Sequence, residues 1–271
     1  MNKIKMICLD IDGTLLNSQH KISQRTNDII RIVASVKQIP VILVSARMPK
    51  GILFLQKELN INEPIICYSG ALVIDEKANI LSNNGIATSD ALQAYSFAKE
   101  LNVHMSLYKD DEWYIEKLDD WAKQESEITN ILPNITRFTD LFNGWECENS
   151  GPNKILCMGK PNDIKLLDAK IKSVHSNDLN VYPSKPTYLE IMSNNVSKTS
   201  AIEILMRKFN IQKSEIMAVG DNYNDIDMIE FAGIGVAMGN APDKVKQYAD
   251  YVTLSNDNDG VVEAIKKFVI S

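Results

Sequence analysis

The chain has 271 residues, 45% of them apolar and 24% charged, with 12 Gly and 9 Pro. This composition predicts folded structure over nearly the whole length and leaves little room for a long disordered tract. The length predicts one core with a large insertion, or two domains, and a net charge of −6 with scattered Lys and Arg makes nucleic acid a poor partner.

In chain order, the first apolar run, KMICLD, is followed by a helical pattern near 26–37, a run VILVS at 41–45, a second helical pattern near 50–59, and PIICYSG at 64–70. That is β-α-β-α-β. The runs are continuous rather than alternating, which suits strands covered by helices on both faces, the arrangement of a parallel sheet. Two aspartates interrupt the first run too early for a signal-peptide core or a membrane span, so no membrane partner is expected.

The stretch from about 83 to 187 has a different character. Two hairpin-like pairs, MSLYKDDEWYIEK and VYPSKPTYLEIM, flank helical patterns at 89–101 and 162–174, which predicts an α+β insertion with antiparallel strands. Turn chemistry at Ser82-Asn83-Asn84-Gly85 and Pro183-Ser184-Lys185-Pro186 sets the predicted boundaries: a core of residues 1–82 and 187–271 and an insertion of residues 83–186. After the insertion the α/β pattern resumes, with helices near 198–209, 224–231, 242–248 and 258–268 between the runs EIMAVGD, GIGVAMG and YVTL. Both termini therefore belong to one α/β domain.

Four cysteines (Cys8, Cys67, Cys147, Cys157) lack C-x-x-C spacing, which predicts reduced thiols in a cytoplasmic setting. Cys8 reads as a core residue. His20, His104 and His175 share no ligand spacing, so zinc is unsupported.

Four segments carry candidate chemistry. Asp10-Ile11-Asp12-Gly13-Thr14 lies where the first strand runs into a loop, and ligands of open α/β sheets bind at the carboxyl ends of strands. Two carboxylates one residue apart repel each other, and a divalent cation makes both usable; hard oxygen ligands favour Mg²⁺. Gly13 permits a tight turn and close backbone approach to a ligand. Ser45 ends the second run before Ala46 and Arg47; it reads as a phosphate-binding hydroxyl or as a turn residue. Lys198 opens a helix, where a cation opposes the macrodipole and calls for a nearby anion; an exposed lysine is the plain alternative. Asp221, Asn224 and Asp225 follow the strand EIMAVGD, as an acidic site or simply an acidic helix start. All four segments fall at the same end of the predicted sheet or on the adjoining helix start. Together they form an inventory for phosphoryl transfer.

In order and spacing these segments resemble the four motifs of the haloacid dehalogenase superfamily of phosphohydrolases. With the insertion between the second and third motifs, the chain is similar to the Cof-type, C2B-capped sugar-phosphate phosphatases, and the resemblance extends through the tail GIGVAMGNAPDKVKQYADYVTLSNDNDGVVEAI. It implies a Rossmann-like parallel-sheet core with an inserted α+β cap. Asp10 would attack phosphorus, and Asp12 would protonate the leaving alcohol and then deprotonate water. Mg²⁺ would be held by the Asp10 carboxylate, the Asp12 main-chain carbonyl and Asp221, supported by Asp225. Ser45, the backbone N–H groups of Ile11 and Ala46, Lys198 and Asn224 would surround the phosphoryl group of a small phosphorylated metabolite. Ala46 and Thr199 stand where the family usually has Gly, and a positive φ at either would strain the pocket.

A phosphomutase shares the first half-reaction, and a non-catalytic binding protein can keep the fold. A receiver-type signalling domain uses similar groups but carries no large insertion. Tyr108, Trp113, Tyr114, Tyr182 and Tyr188 are candidates to face the pocket from the insertion, with ordinary strand packing as the alternative.

Overall fold

A computed structural model describes residues 3–270, which divide into two compact units: residues 3–82 with 197–270, and residues 83–196. In chain order the elements are β1 (Met6–Asp10), α1 (Gln24–Arg31), β2 (Val41–Val44), α2 (Pro49–Leu59), β3 (Ile65–Cys67), β4 (Leu72–Ile74), β5 (Ile80–Asn83), α3 (Thr88–Glu100), β6 (His104–Lys109), β7 (Glu112–Ile115), α4 (Asp120–Thr129) and β8 (Asn134–Ile135). There follow α5 (Phe138–Cys147), β9 (Lys154–Met158), α6 (Pro161–His175), β10 (Leu179–Lys185), β11 (Tyr188–Ser193), α7 (Lys198–Phe209), β12 (Ile216–Gly220), α8 (Ile226–Phe231), β13 (Ile234–Ala237), α9 (Asp243–Lys246), β14 (Tyr251–Val252) and α10 (Gly260–Ile265).

The first unit is built on an eight-stranded sheet in the order β14-β13-β12-β1-β2-β3-β4-β5. Strands β1, β2, β12 and β13 are buried along their whole length, as continuous apolar runs require when helices cover both faces. Met6, Cys8, Ile42 and Val44 pack against Ala201, Ile202 and Leu205 of α7 and Met228 of α8. Burial pushes the Cys8 thiol up to about 12, so it is an apolar core group. The strands from β14 to β3 pair in parallel. Beyond β3 the parallel pattern stops, because a three-residue turn at Tyr68–Gly70 sends β4 back antiparallel; a parallel return would need a crossover of a dozen or more residues. No helix of the described residues is long and apolar enough to cross a membrane.

The second unit holds a six-stranded sheet in the order β10-β11-β9-β6-β7-β8. Both hairpins form, β6 with β7 and β10 with β11. The exit boundary, however, lies at Val196/Ser197 and not at 186/187. The turn residues Pro183–Pro186 belong to an irregular hairpin inside this sheet, and β11 beyond them pairs with both β10 and β9. Pro183 costs no ladder bond because β10 is an edge strand.

The pleat separates the two faces of this sheet. Met105, Leu107, Ile155, Cys157, Leu189 and Ile191 join the apolar cluster with Ala91, Ala94 and Ala98 of α3, Phe138 and Phe142 of α5, and Ile164 and Leu167 of α6. Alternate residues His104, Ser106, Tyr108, Lys154 and Glu190 occupy the opposite face. Tyr108 stacks on Trp113 with ring centroids 5.8 Å apart, while the Tyr182 and Tyr188 hydroxyls donate to Glu190 and Glu125. Tyr114 differs from the other four aromatics: it packs edge-on against Trp145 of α5, on the helix-covered side.

Candidate active site

Strand β1 is flanked by β12 on one side and β2 on the other, in the registers Leu9↔Val219 and Asp10↔Val44. Chain order departs in opposite directions from this point, which opens the crevice where α/β sheets take ligands. Asp10 ends β1, Asp221 follows β12 and Ser45 follows β2, so the register alone brings three of the motifs side by side. The fourth arrives with α7. Ser197 caps that helix through a reciprocal pair with Ser200, which sets Lys198 at its first turn.

Lys198 is 2% exposed, and its ammonium donates to Asp10 Oδ1 and to Asp225 Oδ1, each at 2.5 Å. Asp225, fully buried, is fixed from its other oxygen: Oδ2 accepts from the backbone N–H of Asp221 and of Asn222, each at 2.9 Å. The anion that a lysine at a helix N-terminus requires is thus two buried carboxylates. Burial alone would lower the Lys198 pKa, but Asp10 and Asp225 more than offset it and hold the group above the ordinary lysine value. Burial drives the Asp10 pKa well above the usual carboxylate range, reinforced by Asp225 and Asp221 and opposed by Lys198. For Asp221 burial pushes the value up to about 6, against the hydrogen bond from Thr14.

The loop after β1 is shaped by the acidic strand end beside it. Gly13 has φ +88°, and a Cβ there would lie 2.3 Å from Asp221 Oδ2, so both the turn and the close approach require glycine. Thr14 Oγ1 donates to Asp221 Oδ1 at 2.9 Å, and Asn240 Nδ2 donates to Gly13 O at 2.9 Å. Ile11 is fully buried. Asp12 stands apart from the cluster; its half-exposed carboxylate is gripped by Arg47, Nε to Oδ2 at 2.8 Å and Nη2 to Oδ1 at 2.6 Å.

Ser45 is buried at 2% exposure, and its Oγ accepts from the Arg47 backbone N–H at 3.2 Å. Ala46, half-buried, and Thr199, in the first turn of α7, both have ordinary negative φ, so the missing glycines cause no backbone strain. Strain is found instead at Tyr68, Ser69 and Gly70, with φ of 50°, 53° and 111°. A Cβ on Gly70 would sit 2.1 Å from Ser197 O, so this turn packs directly under the start of α7. The Ser69 and Thr199 hydroxyls are buried without a hydrogen-bond partner. Asn224 lies exposed in the turn Tyr223–Asp225, outside the hydrogen-bonded cluster.

Oxygens of Asp10, Asp221 and Asp225 lie within 4.8 Å of one another, and Lys198 is hydrogen-bonded to two of them. Three carboxylates against one ammonium leave an excess negative charge in a buried place, and hard oxygen donors of this kind suit Mg²⁺. Thr14, Arg47, Asn240 and Ser69 were not singled out as site residues from the sequence. The first two lie inside the motifs, Asn240 lies in the tail that carries the resemblance, and Ser69 shows no local sequence signal, because a turn brings it here.

A profile of the haloacid dehalogenase-like hydrolases matches residues 7–265. A crystal structure of a haloacid dehalogenase-like hydrolase from Bacteroides thetaiotaomicron is 32% identical, with a TM-score of 0.87 over 98% of this chain and 99% of that one. The 5-amino-6-(5-phospho-D-ribitylamino)uracil phosphatase YcsE of Bacillus subtilis is 29% identical over 98% of this chain and 96% of its own. The phosphoglycolate phosphatase of Archaeoglobus fulgidus is also 29% identical, over 98% and 97%. With its acidic cluster and lysine at the carboxyl end of a central parallel sheet, the chain belongs to the haloacid dehalogenase-like hydrolases and is one of their phosphatases.

Proposed function

We propose that this protein is a cytoplasmic, Mg²⁺-dependent phosphatase of small phosphorylated metabolites that works through a phosphorylated Asp10. The observation that carries the reading is the buried meeting of Asp10, Lys198, Asp225 and Asp221. Asp10 is the nucleophile: its oxygen bonds to phosphorus as the ester P–O bond breaks, and Asp12 gives a proton to the leaving alcohol. Asp12 then takes a proton from the water that cleaves the aspartyl-phosphate. Lys198, buried and held cationic, stabilises charge on the transferring phosphoryl, aided by Ser45, Asn224 and the N–H groups of Ile11 and Ala46. Asp10, the Asp12 carbonyl, Asp221 and Asp225 would hold Mg²⁺, which when bound neutralises phosphoryl charge.

The inserted unit supplies substrate selection. Two relatives at equal identity carry names with unlike substrates, which is consistent with a shared reaction centre and a variable selector. The test is phosphate release from a panel of phosphorylated metabolites with and without Mg²⁺, for the wild type and Asp10→Asn. Turnover that requires both Mg²⁺ and Asp10 is the expected result. Release that survives Asp10→Asn would sink the aspartyl-phosphate route, and release from no compound would favour a phosphomutase or a binding protein.

A further inference from the structure

Asp10 and Asp12 are separated by one residue, yet each has its own cation. Lys198 holds the buried one and Arg47 the half-exposed one. The fork from Arg47 engages both oxygens of Asp12, at 2.6 and 2.8 Å, a bidentate geometry that fixes direction as well as distance. The backbone of Arg47 is itself held. Its N–H donates to Ser45 Oγ, and its carbonyl accepts from Tyr68 N at 3.1 Å. Tyr68 starts the strained turn, and Ser69 N donates to Ser45 O at 2.8 Å. The guanidinium therefore projects from a platform tied to the ends of two strands. In an in-line displacement the ester oxygen departs on the far side of phosphorus from the attacking Asp10 oxygen. A proton donor for that oxygen must stand clear of the Asp10 cluster, as the Asp12 carboxylate does here.

We propose that Arg47 is a positioning residue that keeps Asp12 where it serves the departing ester oxygen. This rests on the reading of Asp12 as the proton donor. In that step the Asp10 oxygen–phosphorus bond forms, the ester P–O electron pair goes to the leaving oxygen, and that oxygen takes the proton from Asp12 in its acid form. The acid form has first taken a proton from solvent, keeps one Arg47 hydrogen bond on its carbonyl oxygen and turns its O–H toward the leaving oxygen. An exposed ion pair with no such role contributes little, and its loss would affect every ester alike. A positioning role shows itself through the leaving group. An alkoxide needs the proton to depart; a p-nitrophenolate scarcely does.

The experiment compares kcat/KM for an alkyl phosphate and for p-nitrophenyl phosphate, with Mg²⁺ present, because this parameter reports the step in which the alcohol leaves. In Arg47→Gln the alkyl-to-aryl ratio falls by roughly tenfold or more, since positioned proton transfer contributes about 10²–10⁴ in rate. Asp12→Asn shifts the ratio in the same direction, and the double variant falls no further than Asp12→Asn alone. Arg47→Lys recovers only part of the ratio, because an ammonium lacks the planar fork. An equal fall for both esters in Arg47→Gln, or losses that multiply in the double variant, would overturn the positioning role. A wild type inactive on both esters would overturn the phosphatase chemistry beneath it, which is a separate and distinguishable result.

Discussion

In the eight-stranded sheet the strands β1, β2, β12 and β13 are buried along their length, and the ionic groups gather past their carboxyl ends, where Asp10, Asp225 and Lys198 are 7%, 0% and 2% exposed. In the six-stranded sheet polar groups share one face with Leu156 and Met158 and are paired separately: Lys154 Nζ meets Glu190 Oε2 at 2.9 Å, His104 Nδ1 meets Asp119 at 2.9 Å, and His104 Nε2 meets Ser106 Oγ at 3.0 Å. The core concentrates unlike numbers of charges at one point. On this face of the insertion Lys154 pairs with Glu190 and His104 with Asp119.

The difference is visible in the electrostatics. Burial would raise the Glu190 pKa, but Lys154 outweighs it and leaves the group below the ordinary glutamate value, so this pair is satisfied. Asp10 and Asp221 are both raised, so the core cluster is not. A satisfied pair adds specificity or stability; an unsatisfied cluster is a place to bind a cation and a phosphoryl group. That contrast can be broken at three points.

The largest effect is expected from Lys198→Met. Turnover should fall below about 10⁻³ of wild type, as for the loss of a central charge-stabilising donor. Metal-free stability should drop by about 3–5 kcal/mol, because two buried carboxylates lose their partner. Denaturant unfolding in EDTA checks the second figure; unchanged stability would mean that the lysine does not hold the cluster together.

Next is Asp221→Asn. The folded carboxyl has its pKa at about 6 against an ordinary 3.8, so between these values the native state binds more protons than the unfolded one. Stability from this group is present below about pH 4 and is lost as pH rises through 6. The variant should therefore be more stable than wild type by up to about 3 kcal/mol at pH 7 in EDTA. The advantage should vanish by pH 4 and shrink when Mg²⁺ is added to the wild type. Equal unfolding midpoints at pH 7 would show that the cluster carries no excess charge.

The smallest effect belongs to the insertion and has the opposite sign. His104 is lowered by burial, against Asp119 and Glu125 which raise it and with Lys117 which lowers it further. The unfolded state then takes up protons first, and stability is lost as pH falls below 6.5. His104→Gln should flatten that acid-side loss by no more than about 1 kcal/mol, read as unfolding midpoints at pH 5.5 and 7.5. An identical pH dependence in wild type and His104→Gln would remove the contrast between the two sheets.

Much of this organisation was legible locally. Continuous apolar runs gave the buried strands β1, β2, β12 and β13, and the hairpin patterns gave β6–β7 and β10–β11. Asp10, Ser45 and Asp221 could be placed at strand ends because polar residues interrupt those runs there. Gly13 reads as a residue for a tight turn and close approach to a ligand; its φ of +88° supplies the turn, and the group that approaches it is the Asp221 side chain. The exit boundary is not legible in the sequence, because Pro183 and Pro186 look the same in a linker as in an irregular edge hairpin; only the pairing of β11 with β9 separates the two. Trp113 and Tyr114 are adjacent on one strand and so face opposite sides, but the sequence does not tell which side the helices cover.

The sequence by itself determined the periodicities, the order of the α/β segments and which residue types stand at strand ends, since these depend on neighbours within a few positions. Tertiary structure alone decided that Lys198 pairs with Asp10 across 188 positions while Arg47 takes Asp12. It also decided that the strained turn at Tyr68–Gly70 underlies the start of α7. Pairing of charges is set by distance and burial, and neither is a property of a local stretch of chain.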